Sequence, residues 1–226
     1  MNLGRVGIVV AARTASSRLP SKALLPLGGL PMIVFMLRRL RGVSRGQVVL
    51  ATTELTSDDH LAAEVAREGV PVFRGDGADL VTRYVAAARH FGFDTIVRLT
   101  GDCPFLDAAT VDGCIASAAA FEEFDLATTK GTFPIGLDAE IFRATQLAKL
   151  NAHGSLTAEE REHLTLRYYD EAQGFVVRTI APPAEWLCSA RHFTVDTPAD
   201  YAASKAIVDR LGGPNFSVRA MLEALH

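Results

Sequence analysis

The sequence predicts an α/β fold: a Rossmann-like, doubly wound, mostly parallel sheet with a small β/α extension. Three observations predict it. Short apolar runs rich in β-branched residues alternate with helical patterns roughly every 20 to 30 residues. The segments between them are polar and carry Gly, Pro and Ser. No repeat, low-complexity tract or linker divides the 226 residues, a length that fits a single domain over 1–226.

The elements follow in order. Val6-Gly7-Ile8-Val9-Val10 reads as a buried strand, followed by a polar loop from Arg13 to Lys22. Pro31 opens a helix that runs through Leu40. Gln47 to Thr52 is a second buried strand, and Asp58 to Glu68 a helix. Val70 to Phe73 is a short strand, Ala78 to Phe91 a helix, and Asp94 to Thr100 a strand ending at Gly101. Ala108 to Phe121 reads as a helix and Leu126 to Thr128 as a strand. The stretch 132–170 is less regular and reads as an extension, an acceptor site or dimer arm. Helices are expected over Arg143–Leu150 and Ala158–Tyr169. Strands are expected at Phe175–Ile180 and Arg191–Val195, and closing helices over Pro198–Leu211 and Val218–Leu225.

Composition excludes several classes. Hydrophobic residues make up 49% and charged residues 22%, enough apolar material for a substantial core. Lys and Arg total 23 against 26 Asp and Glu, so no basic excess points to nucleic acid or to an anionic membrane. Cys103, Cys114 and Cys188 fit neither a zinc nor a redox spacing and read as buried thiols in a reducing compartment. No stretch approaches the roughly 18 apolar residues of a spanning helix. A cytoplasmic location is expected.

The informative segment is Val10-Ala11-Ala12-Arg13-Thr14-Ala15-Ser16-Ser17-Arg18-Leu19-Pro20-Ser21-Lys22. A buried strand delivers a loop of small residues with cations at positions 13, 18 and 22. Small residues let backbone N–H groups approach a phosphate, and the cations neutralise a triphosphate and its pyrophosphate leaving group. The spacing matches neither the Gly-x-x-x-x-Gly-Lys-Ser/Thr loop nor the Gly-x-Gly-x-x-Gly fingerprint. From spacing alone, a solvated basic loop is an equal alternative.

The segment resembles the signature loop of the cytidylyltransferases that activate acidic sugars: acylneuraminate and 3-deoxy-manno-octulosonate cytidylyltransferases and the spore-coat polysaccharide protein F group. The matching residues are Ala12-Arg13, Ser16, Arg18-Leu19-Pro20 and Lys22, then Leu25, Leu27-Gly28-Gly29 and Pro31. Ala15 and Ser21 stand where many members carry Gly, and Ala15 could not adopt a positive φ cheaply. The likeness continues through Val70-Pro71-Val72-Phe73-Arg74-Gly75, Arg83-Tyr84 and Arg98-Leu99-Thr100-Gly101-Asp102-Cys103-Pro104. It includes Gly136-Leu137-Asp138-Ala139-Glu140, Arg161-Glu162-His163 and Val195-Asp196-Thr197-Pro198-Ala199-Asp200.

The resemblance implies a nucleotide-diphospho-sugar transferase type of sheet and a Mg²⁺-dependent transfer of CMP from CTP. It gives catalytic roles to Arg13, Lys22 and Asp102. Arg13, Arg18 and Lys22 would hold the β and γ phosphates, and Asp102 and Asp196 would hold Mg²⁺. Read locally, Asp102 also fits a Gly-Asp turn, and Asp196 a helix entry before Thr197-Pro198. The base pocket is expected near Val10, Ala11 and Ala12, with Ser16, Thr100, Arg74 and Arg83 as further nucleotide contacts. Acceptor contacts are expected at Asp138, Glu140 and His163, with Arg161, Arg191 and His192 as weaker basic candidates. The implied partners are CTP, an acidic sugar-like acceptor for surface polysaccharide or glycan biosynthesis, and a second copy in a homodimer. The rival readings are use of another NTP and a catalytically silent CTP-binding protein. No Asp-x-Asp pair supports a glycosyltransferase.

Overall fold

The computed structural model describes residues 1–186 and 192–225. Strands β1 (Val6–Ala11), β4 (Gln47–Thr53), β5 (Val72–Gly75) and β6 (Thr95–Thr100) are parallel and lie side by side in the order β5-β4-β1-β6. The same sheet continues through β8 (Glu140–Arg143), β7 (Leu126–Thr128) and β9 (Val177–Thr179). β8 runs antiparallel to both of its neighbours, while β7 and β9 are parallel to each other. Two short strands, β2 (Pro26–Leu27) and β3 (Leu30–Pro31), form a separate hairpin. Its Gly28 and Gly29 adopt φ of 58° and 78°.

Helices cover both faces, which is why β1 is apolar throughout. Ile8 and Val10 join one core with Leu50, Val97 and Leu99, under helix α1 (Met32–Arg39) and helix α4 (Ala108–Ala120). Val9 joins a second core with Val49, Ala51 and Ile96, under helix α3 (Leu80–Phe91) and helix α5 (Ala144–His153). Ile8, Val9 and Val10 are all 0% exposed. Helix α2 (Asp59–Arg67), the short α6 (Ala158–Glu162), α7 (Pro198–Leu211) and α8 (Val218–Ala224) complete the chain.

Local chemistry sets the helix ends. Asp79, Asp107 and Ser217 cap α3, α4 and α8 by accepting from the backbone N–H three residues on. Helix α7 starts with a reciprocal box in which Thr197 and Asp200 exchange side-chain and backbone bonds, with Pro198 in its first turn. It stops at Gly212, φ 75°.

The structure departs from the sequence-based expectations mainly after residue 130. Glu140–Arg143 is a strand inside the sheet, in the stretch expected to be irregular. The helix expected over 158–169 ends at Glu162 and is followed by a 3-10 turn at Leu166–Tyr169. Residues 192–195 form no strand; Arg191 and Cys188 lie outside the described residues. Cys103 and Cys114 are buried free thiols. Among the described residues no helix is long and apolar enough to cross a membrane.

Candidate active site

The chain leaves β1 towards β4 on one side, and the sheet continues through β6 on the other. The crevice between the carboxyl ends of β1 and β6 is therefore the topological switch point, where open α/β sheets bind ligands. Ala11 and Thr100 face each other in register there. Gly101 N–H donates to Ala11 O at 2.8 Å. A Cβ on Gly101 would lie 2.7 Å from Ala12 Cβ and 3.1 Å from Ala11 O, so only glycine lets the two strand ends close in this way. Above them opens a cavity of about 350 Å³.

The 12–22 loop forms one wall of that cavity. Its shape is fixed from below by Asp58, which is 1% exposed. Asp58 Oδ1 accepts from Thr14 N–H at 2.7 Å and from the Thr14 hydroxyl at 2.6 Å, while Oδ2 accepts from the Thr53 hydroxyl. Burial alone would raise the Asp58 pKa, but the bonds from Thr14 and Thr53 outweigh it and hold it below its ordinary value. The loop closes where Ser21 N–H donates to Thr14 O at 3.0 Å. Ser21 takes the left-handed conformation, φ 54°, whereas Ala15 does not have a positive φ.

Lys22 sits at the centre of the site. Its Nζ lies 2.7 Å from Asp102 Oδ2 and 2.8 Å from Asp196 Oδ1. Arg18 reaches Asp196 Oδ1 at 3.0 Å. Burial works to lower the Lys22 pKa, but the charges of Asp102 and Asp196 and their hydrogen bonds leave it above its ordinary value. Asp102 mirrors this: burial would raise its pKa, yet the Lys22 charge and bond hold it down. Both groups therefore stay charged around neutrality. The α7 cap is satisfied by Thr197 and Asp200, so the Asp196 carboxylate is not spent on the helix entry. The neighbouring Cys103 thiol is pushed well up by burial and then by the Asp102 charge.

The opposite wall carries Ala78, Leu80 and Arg83. Arg83 is 3% exposed and donates to Asp76 O at 2.7 Å and Gly77 O at 3.3 Å, holding the 76–79 turn against the cavity. Arg13 donates to Gly77 O at 3.5 Å and pairs with Glu162 at 3.5 Å across the mouth. His163 lines the cavity beside Glu162.

The expected site residues thus divide. Ala11, Ala12, Arg13, Ser16, Arg18, Lys22, Arg83, Thr100, Asp102, His163 and Asp196 line one cavity. Val10 does not: its side chain is fully buried and its backbone lies in the sheet. Arg74 turns away, donating to Thr53 O at 2.9 Å and Leu55 O at 2.8 Å and pairing with Asp59 at 2.6 Å. Asp138 accepts from Gly136 N–H at 2.8 Å and so holds its own turn.

Glu140 is 1% exposed and serves as a buried anchor rather than a contact to solvent or ligand. It accepts from Arg98, from the Thr165 hydroxyl at 2.9 Å and from the Tyr169 hydroxyl at 2.6 Å. Arg161 is held by Asp79 at 2.5 Å and Asn151 at 3.1 Å. Sequence reasoning overlooked Asp58 and Glu162. Asp58 reads as an ordinary helix-start acid, and only its distance to Thr14 reveals its part. Glu162 had a signal, because it sits inside the Arg161-Glu162-His163 motif.

The donor chemistry of the site suits a divalent metal. Asp102 and Asp196 already converge on one cation, the Lys22 ammonium, and offer only hard oxygen donors. Among the described residues no group of three or more His, Cys, Asp or Glu could complete a protein-only shell. Such a pair suits an oxygen-seeking divalent ion that takes its other ligands from phosphate and water.

Residues 7–207 match the protein-family model described as cytidylyltransferase. The chain is 29% identical over 224 residues to the spore coat polysaccharide biosynthesis protein SpsF of Bacillus subtilis, covering 96% of this chain and 92% of that protein. It superposes on a solved cytidylyltransferase from Leptospira borgpetersenii serovar Hardjo-bovis with a TM-score of 0.90 and 34% identity, over 98% of this chain and 93% of the other. The fold is also that of a CMP:2-keto-3-deoxy-manno-octonic acid synthetase solved with CTP. There the TM-score is 0.71 and the identity 21%, over 92% of this chain and all of the other.

Proposed function

The chain belongs to the cytidylyltransferase family, and from that premise we propose that it transfers CMP from CTP to a hydroxyl of a small acidic, sugar-like acceptor, releasing pyrophosphate. The observation that carries the reading is the Lys22 contact. It draws the cationic loop, the end of β6 and the start of α7 into one cavity at the switch point.

In this mechanism Arg13, Ser16, Arg18 and Lys22 hold the β and γ phosphates. Asp102 and Asp196 would hold Mg²⁺. When bound, the metal neutralises charge on the triphosphate and on the departing pyrophosphate. The acceptor hydroxyl attacks the α-phosphorus in line, and the bond to the bridging oxygen of the leaving pyrophosphate breaks. Positioning and charge neutralisation supply most of the rate. Base and ribose rest between Ala12 and the wall of Ala78, Leu80 and Arg83, with Thr100 at the floor.

The 132–170 stretch supplies the acceptor side, supported by Glu162 and His163 on the cavity wall. Exposed Ile135 and Leu166 lie in the same stretch and favour its use as a contact in a homodimer. SpsF is named for spore coat polysaccharide biosynthesis, which favours a role in surface polysaccharide assembly here.

The test is pyrophosphate release from each of the four NTPs with Mg²⁺ against a panel of acidic sugars. CTP with one acceptor should give turnover, and Asp102→Asn should abolish it. Binding of no NTP at all would sink the reading.

A further inference from the structure

Resting on the reading of Asp102 and Asp196 as metal ligands, we propose that Lys22 is a resident cation that competes with the divalent metal for these carboxylates. The metal then enters the cavity only together with the triphosphate. The geometry carries this. One ammonium lies 2.7 Å from Asp102 Oδ2 and 2.8 Å from Asp196 Oδ1. The Lys22 side chain is 15% exposed, and the carboxylates 26% and 28%, so water screens the contact only in part. Arg18 adds a second cation 3.0 Å from Asp196.

The charges decide the order of binding. The carboxylates of Asp102 and Asp196 face the cations of Lys22 and Arg18, so the set is already neutral. A divalent ion added to the same oxygens would meet both cations as like charges, at an effective dielectric below that of water. Mg²⁺ also sheds its water reluctantly. A triphosphate changes the sum. It brings several negative charges to a wall that presents Arg13, Ser16, Arg18 and Lys22. Lys22 then has a second anionic partner, and its departure leaves Asp102 and Asp196 to the metal.

The backbone need not move for this exchange. Lys22 N–H donates to Leu19 O at 3.3 Å, and Lys22 O accepts from Leu25 N–H at 3.1 Å. The root of the side chain is fixed, and only its flexible stem swings. Metal and nucleotide are thereby coupled, and each raises the other's affinity by the same factor.

The experiment counts free Mn²⁺ by electron paramagnetic resonance during titration of wild type, Lys22→Met, Lys22→Gln and Lys22→Arg without nucleotide. Thermal melts establish that each is folded. The two neutral variants should bind Mn²⁺ about tenfold tighter, or better, than wild type. Lys22→Arg keeps the charge and should bind as weakly as wild type. Adding Asp102→Asn to Lys22→Met should remove the gain. Equal affinity in wild type and both neutral variants overturns the proposal, and so does a gain that survives Asp102→Asn. Calorimetry with CTP in the presence of Mg²⁺ separates the two possible failures. If wild type binds CTP but the neutral variants gain no Mn²⁺ affinity, only the resident-cation proposal falls. If wild type binds no CTP, the functional reading falls and takes the proposal with it.

Discussion

Ser21 shows how a single residue shapes the loop that carries the chemistry. Its φ of 54° lies in the left-handed region, where a side chain costs about 1 kcal/mol and a β-branched one more. Glycine would relieve that strain but would also free the unfolded chain by about 0.4–1 kcal/mol. The two terms offset, so Ser21→Gly should change stability by no more than about 0.5 kcal/mol, whereas Ser21→Val should cost about 1–2 kcal/mol. Urea unfolding of both variants checks this. Equal stability of Ser21→Val and wild type would show that the loop relaxes to another conformation. Ala15 and Ser21 both stand where many relatives carry glycine, and the sequence raises the question of positive φ at Ala15, while the structure places it at Ser21. The demand falls on Ser21 because the loop closes there, through Ser21 N–H and Thr14 O, a contact that no local pattern encodes. Arg13, Lys22 and Asp102 were legible one by one from their residue types and from the resemblance. That Lys22 touches both carboxylates was not, because the three residues are far apart in the chain.

Elements buried on both faces were the legible ones, because their apolar runs are continuous. β1, β4 and β6 lie near where Val6–Val10, Gln47–Thr52 and Asp94–Thr100 predict them. Helix α7 has the predicted bounds, set by Thr197, Pro198 and Gly212. β8 was missed for a physical reason. Glu140-Ile141-Phe142-Arg143 is short, with a charge at each end, and Glu140 is tolerated in the sheet only because Arg98 of the adjoining β6 neutralises it. The same carboxylate draws in Thr165 and Tyr169, which accounts for a helical pattern over 158–169 giving way to a turn after Glu162. Burial would raise the Glu140 pKa, but Arg98 and then Lys130 hold it below its ordinary value. Removing one partner of a buried pair leaves the other unpaired, so Glu140→Ala should destabilise the fold by about 3–5 kcal/mol. A denaturation midpoint within about 1 kcal/mol of wild type would show that the anchor contributes little.

At the scale of the whole molecule, the carboxylates govern how the fold responds to pH. Asp58, Glu68, Asp76, Asp102, Glu140, Glu160 and Asp200 all titrate below their ordinary values of 3.8 or 4.5. For Asp102 burial pulls the other way and the Lys22 charge prevails; for Glu68 the bond from Arg38 leads. A group with a depressed folded pKa stabilises the fold fully above its unfolded value and loses that contribution as pH falls through the folded one. Lys22 has the opposite sign. Its pKa is raised above 10.5, so its contribution is complete below that value and is lost only in stronger alkali. With Cys103 and Cys114, whose buried thiols are raised above 9.0, these signs give a plateau in the melting temperature from about pH 5 to about pH 8, a fall on the acid side beginning near pH 4.5 and an alkaline fall beginning near pH 9. Calorimetric melts across pH 3 to 10 would trace it. Asp102→Asn removes one of the depressed carboxylates and the main partner of Lys22, so its acid fall should be shallower than that of wild type. A melting temperature that drops between pH 8 and pH 6 would place the controlling group elsewhere and overturn the assignment to these carboxylates.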